Sequence, residues 1–149
     1  MNKTLNILIT GCGGDIGQSI GKILLKSNFI NKLYGIDISN KNAGQFVFTN
    51  FSLGISVKHQ DYLRNLELFI NKYEIDLIIP ISEAELRFFL EQNILDKIGD
   101  AKIISASRLC LEIGFDKLKT SEFLKAQNLP FPKTFLANKS IKIDKFPVV

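Results

Sequence analysis

The segment Ile7-Leu8-Ile9-Thr10-Gly11-Cys12-Gly13-Gly14-Asp15-Ile16-Gly17 constrains the fold of this chain more than any other. Its apolar opening reads as a strand buried on both faces, and such strands belong to parallel sheets. The strand runs into a turn with glycine at 11, 13, 14 and 17, where the backbone must bend sharply and leave room for something against it. A helix opens directly after the turn. The free N–H groups of a helix N-terminus suit an anion, so the backbone N–H groups of Gly13 and Gly14 are candidate anion ligands. Asp15 joins them by position, although an acid in a first helical turn is stabilised by the dipole without any ligand. Gly14 is expected to reject a β-branched residue. Gly21, mid-helix, is expected to gain roughly 0.5–1 kcal/mol from alanine unless close packing forbids it.

The rest of the chain alternates strand and helix signals. Leu5–Thr10 is the first strand. Ile16, Ile20, Ile23 and Leu24 then form one apolar stripe at helical spacing. Residues 33–37 make a second strand that ends on Asp37. Phe46, Val47, Phe48 and Phe51 fit either a short strand or an irregular segment, and residues 55–58 suggest a short third strand. Leu63, Leu66, Ile70 and Tyr73 restore a helical period, residues 76–80 read as a strand, and Ser82 is placed to cap a helix carrying Leu86, Phe89, Leu90 and Ile94. A strand over 102–105 and helices through Leu111 and over 116–128 follow. The alternation predicts an α/β fold: a Rossmann-like open, mostly parallel sheet with helices on both faces and helices added at the C-terminal end.

Composition narrows the function classes. At 149 residues the chain is long enough for an independent core. Its net charge of +4 invites a nucleic-acid reading, but lysines are scattered among acids from Lys3 to Lys145 with no block of five like charges, so no nucleic-acid partner is expected. No apolar run reaches the ~20 residues that span a bilayer, and a cytoplasmic protein without a membrane partner is expected. Cys12 and Cys110 share no CxxC, and His59 is the one histidine, too few ligands for a structural zinc site. Cys12 in the glycine loop is either a thiol activated by the helix N-terminus or a small residue suited to a tight turn.

Two resemblances follow from motifs. Residues 10–17 fit TGxxGxxG, which resembles the loop of extended short-chain dehydrogenases and epimerases, and Asp37 stands where a ribose-binding acid would be. That group's YxxxK is absent, since Tyr34, Tyr62 and Tyr73 are followed four on by Ile38, Leu66 and Leu77. The other resemblance covers essentially the whole chain. Asp76-Leu77-Ile78-Ile79-Pro80-Ile81-Ser82-Glu83-Ala84-Glu85-Leu86 resembles the strand–turn segment of the pre-ATP-grasp domain in carbamoyl-phosphate-synthase-like ATP-grasp enzymes. Asp116-Lys117, Phe123-Leu124 and Asn128-Leu129-Pro130-Phe131-Pro132-Lys133-Thr134 resemble that superfamily's DK…GiPxPxt module, and Phe146-Pro147-Val148-Val149 resembles the FPvVvKP strand, cut before its ATP-binding lysine. Asn128 departs from the family's glycine, but asparagine is the next-best residue for a left-handed helix end.

The second resemblance implies a pre-ATP-grasp domain over 1–114, then a linker helix and the start of an ATP-grasp domain over 115–149. It implies a parent ligase that phosphorylates a small-molecule carboxylate with ATP and Mg²⁺ and joins it to an amine. This chain alone would be catalytically silent, binding no cofactor tightly, with homo-oligomerisation left open. Lys117 would contact the nucleotide. Asp37 would lie on the acceptor-substrate side. Glu83 and Glu85 follow a strand's carboxyl end, where they can hold a substrate ammonium or favour their own helix dipole; Glu83 is expected in the substrate role and Glu85 in the helix role. The alternatives are an NAD(P)-binding domain of the dehydrogenase/epimerase type and a non-catalytic interaction module.

Overall fold

The computed structural model of the chain describes residues 4–136. The expected strand over Phe146–Val149 lies outside them. The chain divides into two compact units, Met1–Arg108 and Leu109–Val149. The first is an open six-stranded sheet with helices on both faces. Its elements run β1 (Leu5–Thr10), α1 (Asp15–Leu24), β2 (Ile30–Asp37), α2 (Gly44–Val47), β3 (Asn50–Leu53), α3 (Tyr62–Tyr73), β4 (Leu77–Pro80), α4 (Glu83–Glu91), β5 (Lys97–Ile98) and β6 (Ala101–Ile103). Helices α5 (Arg108–Gly114) and α6 (Lys117–Ala126) follow.

The strand order is β3-β2-β1-β4-β6-β5. Every pairing is parallel except that of β5 with β6, a short antiparallel ribbon turning through Gly99 in the left-handed region. The chain moves outward from β1 to β2 and β3, then crosses back over β1 to β4. That reversal opens a crevice at the carboxyl ends of β1 and β4, where open α/β sheets hold their ligands. Thr10 pairs with Pro80 at the crevice floor.

Two of the sequence expectations shift by a few residues. The segment at 44–51 resolves into a short helix followed by β3, and the third strand is Asn50–Leu53 instead of 55–58. The phenylalanines explain the change. Phe48 is driven into the core, 1% exposed, which spends residues 44–47 on one helical turn before the chain can extend. Residues 55–58 then pass over the top of the sheet as a loop.

Each face of the sheet has its own core. On one face, Leu8, Tyr34, Leu66, Ile70, Ile78 and Phe89 pack under α3 and α4. Tyr34, Phe69 and Tyr73 form an aromatic cluster there, with centroids 4.5–5.9 Å apart. On the other face, Ile7, Ile9, Cys12, Leu33 and Phe48 pack against α1 and α2.

Helix α1 departs from its expected apolar stripe. Gly17 and Gly21 are buried, while Ile16 and Ile23 are 58% and 67% exposed. The Phe48 ring is the cause. It is wedged between α1 and β2 so closely that a Cβ on Gly21 would lie 2.5 Å from its Cζ, and one on Gly35 would lie 2.6 Å from its Cγ. The glycine edge of α1 must therefore face the sheet. This corrects the expectation that Gly21 accepts alanine. Gly14 reverses as well: it is exposed, has an extended φ of −73°, and a Cβ there would meet nothing closer than a carbonyl oxygen at 3.9 Å.

In the second unit, Asp116 caps α6, its carboxylate accepting from the N–H groups of Leu118 at 2.9 Å and Lys119 at 3.1 Å. Asn128 takes a φ of 54°, the left-handed conformation expected of the residue that ends this helix. Among the described residues no helix is long and apolar enough to cross a membrane.

Candidate functional site

The glycine loop begins with Gly11 at φ +65°, a conformation that admits glycine and few other residues. The turn brings Gly13 and Asp37 together, a contact within the chain that sequence reasoning did not anticipate. The Gly13 N–H donates to Asp37 Oδ2 at 2.8 Å, and the Ser39 N–H donates to Oδ1 at 3.1 Å. The Asp37 carboxylate is thus itself an anion seated on the glycine loop. The clearance at Gly13 is also taken within the chain, because a Cβ there would lie 2.4 Å from Asn42 Cγ. Asn42 is held in place by donating from its amide to the Ser39 carbonyl and accepting from the Gly44 N–H at 2.9 Å. Asp15 is exposed, its Oδ1 accepting from the Ile16 N–H. Cys12 is fully buried under the loop, and burial, reinforced by the Asp37 charge, pushes its thiol up to about 12. The activated-thiolate alternative is excluded by that environment.

Beside the loop, at the carboxyl ends of β1, β2, β3 and β4, lies a cavity of about 360 Å³, within the range usual for small-molecule sites. Its walls are mostly apolar, with Ile36, Ile55, Val57, Leu66 and Phe69 among them. Its polar lining includes Thr10, Asp37, Asn65, Tyr62 and Glu85. Glu85 is 5% exposed and accepts hydrogen bonds on both oxygens, from the Tyr62 hydroxyl on Oε1 and the Thr10 hydroxyl on Oε2. Three elements converge on this carboxylate, since Thr10 ends β1, Tyr62 opens α3 and Glu85 lies in the first turn of α4. Burial raises its pKa, while the two hydroxyl donors pull the other way and only partly offset that rise. The Tyr62 phenol is likewise held well above its ordinary value by burial and by the adjacent Glu85.

The two glutamates of the Glu83-Ala84-Glu85 turn exchange the places that sequence reasoning gave them. Glu83 is exposed and pairs with Arg87 one turn on, with Arg87 Nε donating at 2.8 Å. Glu85 enters the cavity. The phase of α4 decides this: Glu85 stands four residues before the fully buried Phe89 and shares its face, while Glu83 shares the solvent face of Arg87. The i, i+4 spacing to Phe89 was the signal available in the sequence. Tyr62 and Thr10 carried none, because a tyrosine on a helical stripe and a threonine at a strand end are ordinary core residues until tertiary structure places a carboxylate between them. Lys117 opens α6 on an exposed surface of the second unit. His59 is an exposed loop residue whose Nδ1 accepts from the Asp61 N–H. Among the described residues no three His, Cys, Asp or Glu side chains come together as a metal site.

No protein-family model matches the sequence, and no curated protein matches it either. Solved structures do. The N5-carboxyaminoimidazole synthetase of Staphylococcus aureus matches 86% of this chain and 32% of its own, at 22% identity and a TM-score of 0.51. The dTDP-glucose 4,6-dehydratase of Bacillus anthracis, solved with NAD, matches 83% of this chain and 34% of its own at 18% identity and a TM-score of 0.42. The PbgP3 protein of Burkholderia pseudomallei matches 62% and 27% at 21% identity and a TM-score of 0.39. The chain spans about a third of the length of these structures. The likeness to the synthetase is one of fold, and the other two carry nothing further.

Proposed function

We propose that this chain is the N-terminal, substrate-side region of an ATP-dependent ligase that joins a carboxylate to an amine through an acyl phosphate. The observation that carries this reading is the location of the usable space. The room beside Gly13 is filled by Asn42, and the Gly13 N–H is engaged by Asp37. The cavity lies instead over the β1/β4 crevice, walled by the turn whose sequence resembles the pre-ATP-grasp segment. The fold likeness to a solved synthetase over 86% of the chain agrees with it. In this reading ATP and Mg²⁺ belong to the parent enzyme and are not held tightly by this chain, in keeping with Asn42 beside Gly13 and with the lack of any three clustered His, Cys, Asp or Glu side chains among the described residues. The reading therefore gives this chain a substrate-side pocket and Lys117 as a nucleotide contact, and routes no chemical step through it.

The test is to express the reading frame through whatever follows Val149. MgATP hydrolysis that depends on an added carboxylate is expected of the longer chain and not of residues 1–149. In the longer chain Lys117→Ala is expected to raise KM for ATP about 10- to 100-fold, since a lost charge-assisted contact costs about 1.5–3 kcal/mol. Turnover by residues 1–149 alone would refute the assignment, and an unchanged ATP dependence would remove Lys117 from the site. Calorimetric titration of residues 1–149 with NAD⁺ and NADPH is expected to show no binding tighter than millimolar. Micromolar affinity for either would favour the dinucleotide-binding alternative.

A further inference from the structure

The cavity has a sign. The ionisable side chains among its described lining residues are Asp37, Glu85 and Tyr62, and no lysine, arginine or histidine is among them. Two carboxylates with no compensating cation disfavour a ligand that brings another carboxylate or a phosphate, because two like charges in a poorly solvated space repel strongly. A cation is favoured by the same arithmetic. Glu85 is built to receive one. Each carboxylate oxygen offers about two lone-pair sites, and Tyr62 and Thr10 occupy one apiece. The hydroxyls fix the orientation of the carboxylate from two different elements and leave acceptor capacity on both oxygens. Asp37 supplies the second negative charge, with its own carboxylate steadied by the Gly13 and Ser39 N–H groups. Much of the remaining wall is hydrocarbon, Ile36, Val57 and Phe69 among it, with Asn65, Ser56 and Ser82 as uncharged polar side chains.

We propose that this cavity binds a primary amine with an apolar body, its ammonium group donating to Glu85 and its hydrocarbon lying against Ile36, Val57 and Phe69. This deepens the ligase reading and rests on it for one point only, that the bound molecule is the amine to be joined rather than the carboxylate. Ammonium–carboxylate hydrogen bonds are charge-assisted and roughly twice as strong as neutral ones, so the head group sets selectivity. The apolar wall adds affinity without choosing the head group. Entry of a cation also favours the ionised form of Glu85, against the upward pull of burial on its pKa.

The probes are hexylamine, hexanoate and 1-hexanol, alike in body and different in head group, titrated at pH 7 into ¹⁵N-labelled residues 1–149. Hexylamine is expected to shift the amides of Gly11, Ile38 and Val57 with a millimolar Kd. Hexanol is expected to bind at least fivefold more weakly, and hexanoate not at all. Glu85→Gln is expected to reduce hexylamine binding to the level of hexanol, with the dispersed spectrum confirming that the variant is folded. Should that variant not fold, Ser56→Lys decides the matter instead. Ser56 is an exposed residue of the cavity lining, and a cation there is expected to invert the preference toward hexanoate. Hexanoate binding as tightly as hexylamine, unchanged amine binding in folded Glu85→Gln, unchanged preference in Ser56→Lys, or no response to hexylamine would each overturn the proposal. The two readings fail separately. Amine binding without ATP-dependent turnover in the longer chain refutes the ligase and keeps the pocket, whereas turnover without amine selectivity does the reverse.

Discussion

Gly21→Ala is expected to destabilise the fold by about 1–3 kcal/mol, the usual cost of forcing an extra carbon into a well-packed core. Helix propensity acts in the opposite direction, favouring alanine by roughly 0.5–1 kcal/mol, and is outweighed. The decisive quantity is the 2.5 Å separation between the new Cβ and Phe48 Cζ, about 1 Å or more inside ordinary carbon–carbon contact. Phe48 cannot yield easily, because on its other side a Cβ at Gly35 would already be 2.6 Å from its ring. Gly14→Val, by contrast, is expected to change stability by less than about 1 kcal/mol, since the site is exposed and extended. Urea melts of both variants provide the check. A Phe48→Leu background supplies a second measurement: removing the ring should relieve most of the penalty at Gly21 and produce a coupling energy of about 0.5–3 kcal/mol. Equal midpoints for Gly21→Ala and the unaltered protein would show that α1 can shift away from the ring.

Glu85 is expected to govern how stability depends on pH. Its pKa in the folded protein is raised above the ordinary carboxylate value of 4.5, so folding favours the protonated form. Its contribution is therefore fully present below the unfolded value and is lost as pH rises through the folded one. Glu85→Gln removes the titration while keeping the shape. The stability of the unaltered protein relative to Glu85→Gln is expected to fall as pH is raised from about 4.5 toward 8, measured by urea melts at several pH values. A difference that stays flat would mean the two hydroxyl donors cancel the effect of burial, and one that rises with pH would mean they outweigh it. Tyr62→Phe is expected to sharpen the pH dependence. It removes a donor that favours the ionised form and adds about 1–3 kcal/mol of destabilisation at high pH, where the carboxylate loses a hydrogen bond.

The alternation of strands with helices, the largely apolar β1 and the glycine turn after it were enough to specify a parallel α/β sheet, because each is a local consequence of burying a strand on both faces and turning tightly into a helix. The boundaries of β1 and α3 were legible for the same reason, as was the left-handed end of α6 at Asn128. What needed tertiary structure was every feature set by a contact between distant segments. The rotation of α1 about its axis is decided by one ring, Phe48, arriving from 27 residues beyond Gly21. The state of the glycine loop is decided by Asn42 and Asp37, which fill from the β2–α2 side the space that the loop's own sequence leaves clear. The choice between Glu83 and Glu85 is decided by the phase of a helix against Phe89 and by two hydroxyls, Thr10 and Tyr62, that lie 75 and 23 residues away in the chain. A sequence lists side chains with their chemistry. Which of them lose their water together, and so acquire shifted charge and a shared cavity, depends on packing, and packing is a property of the whole sheet.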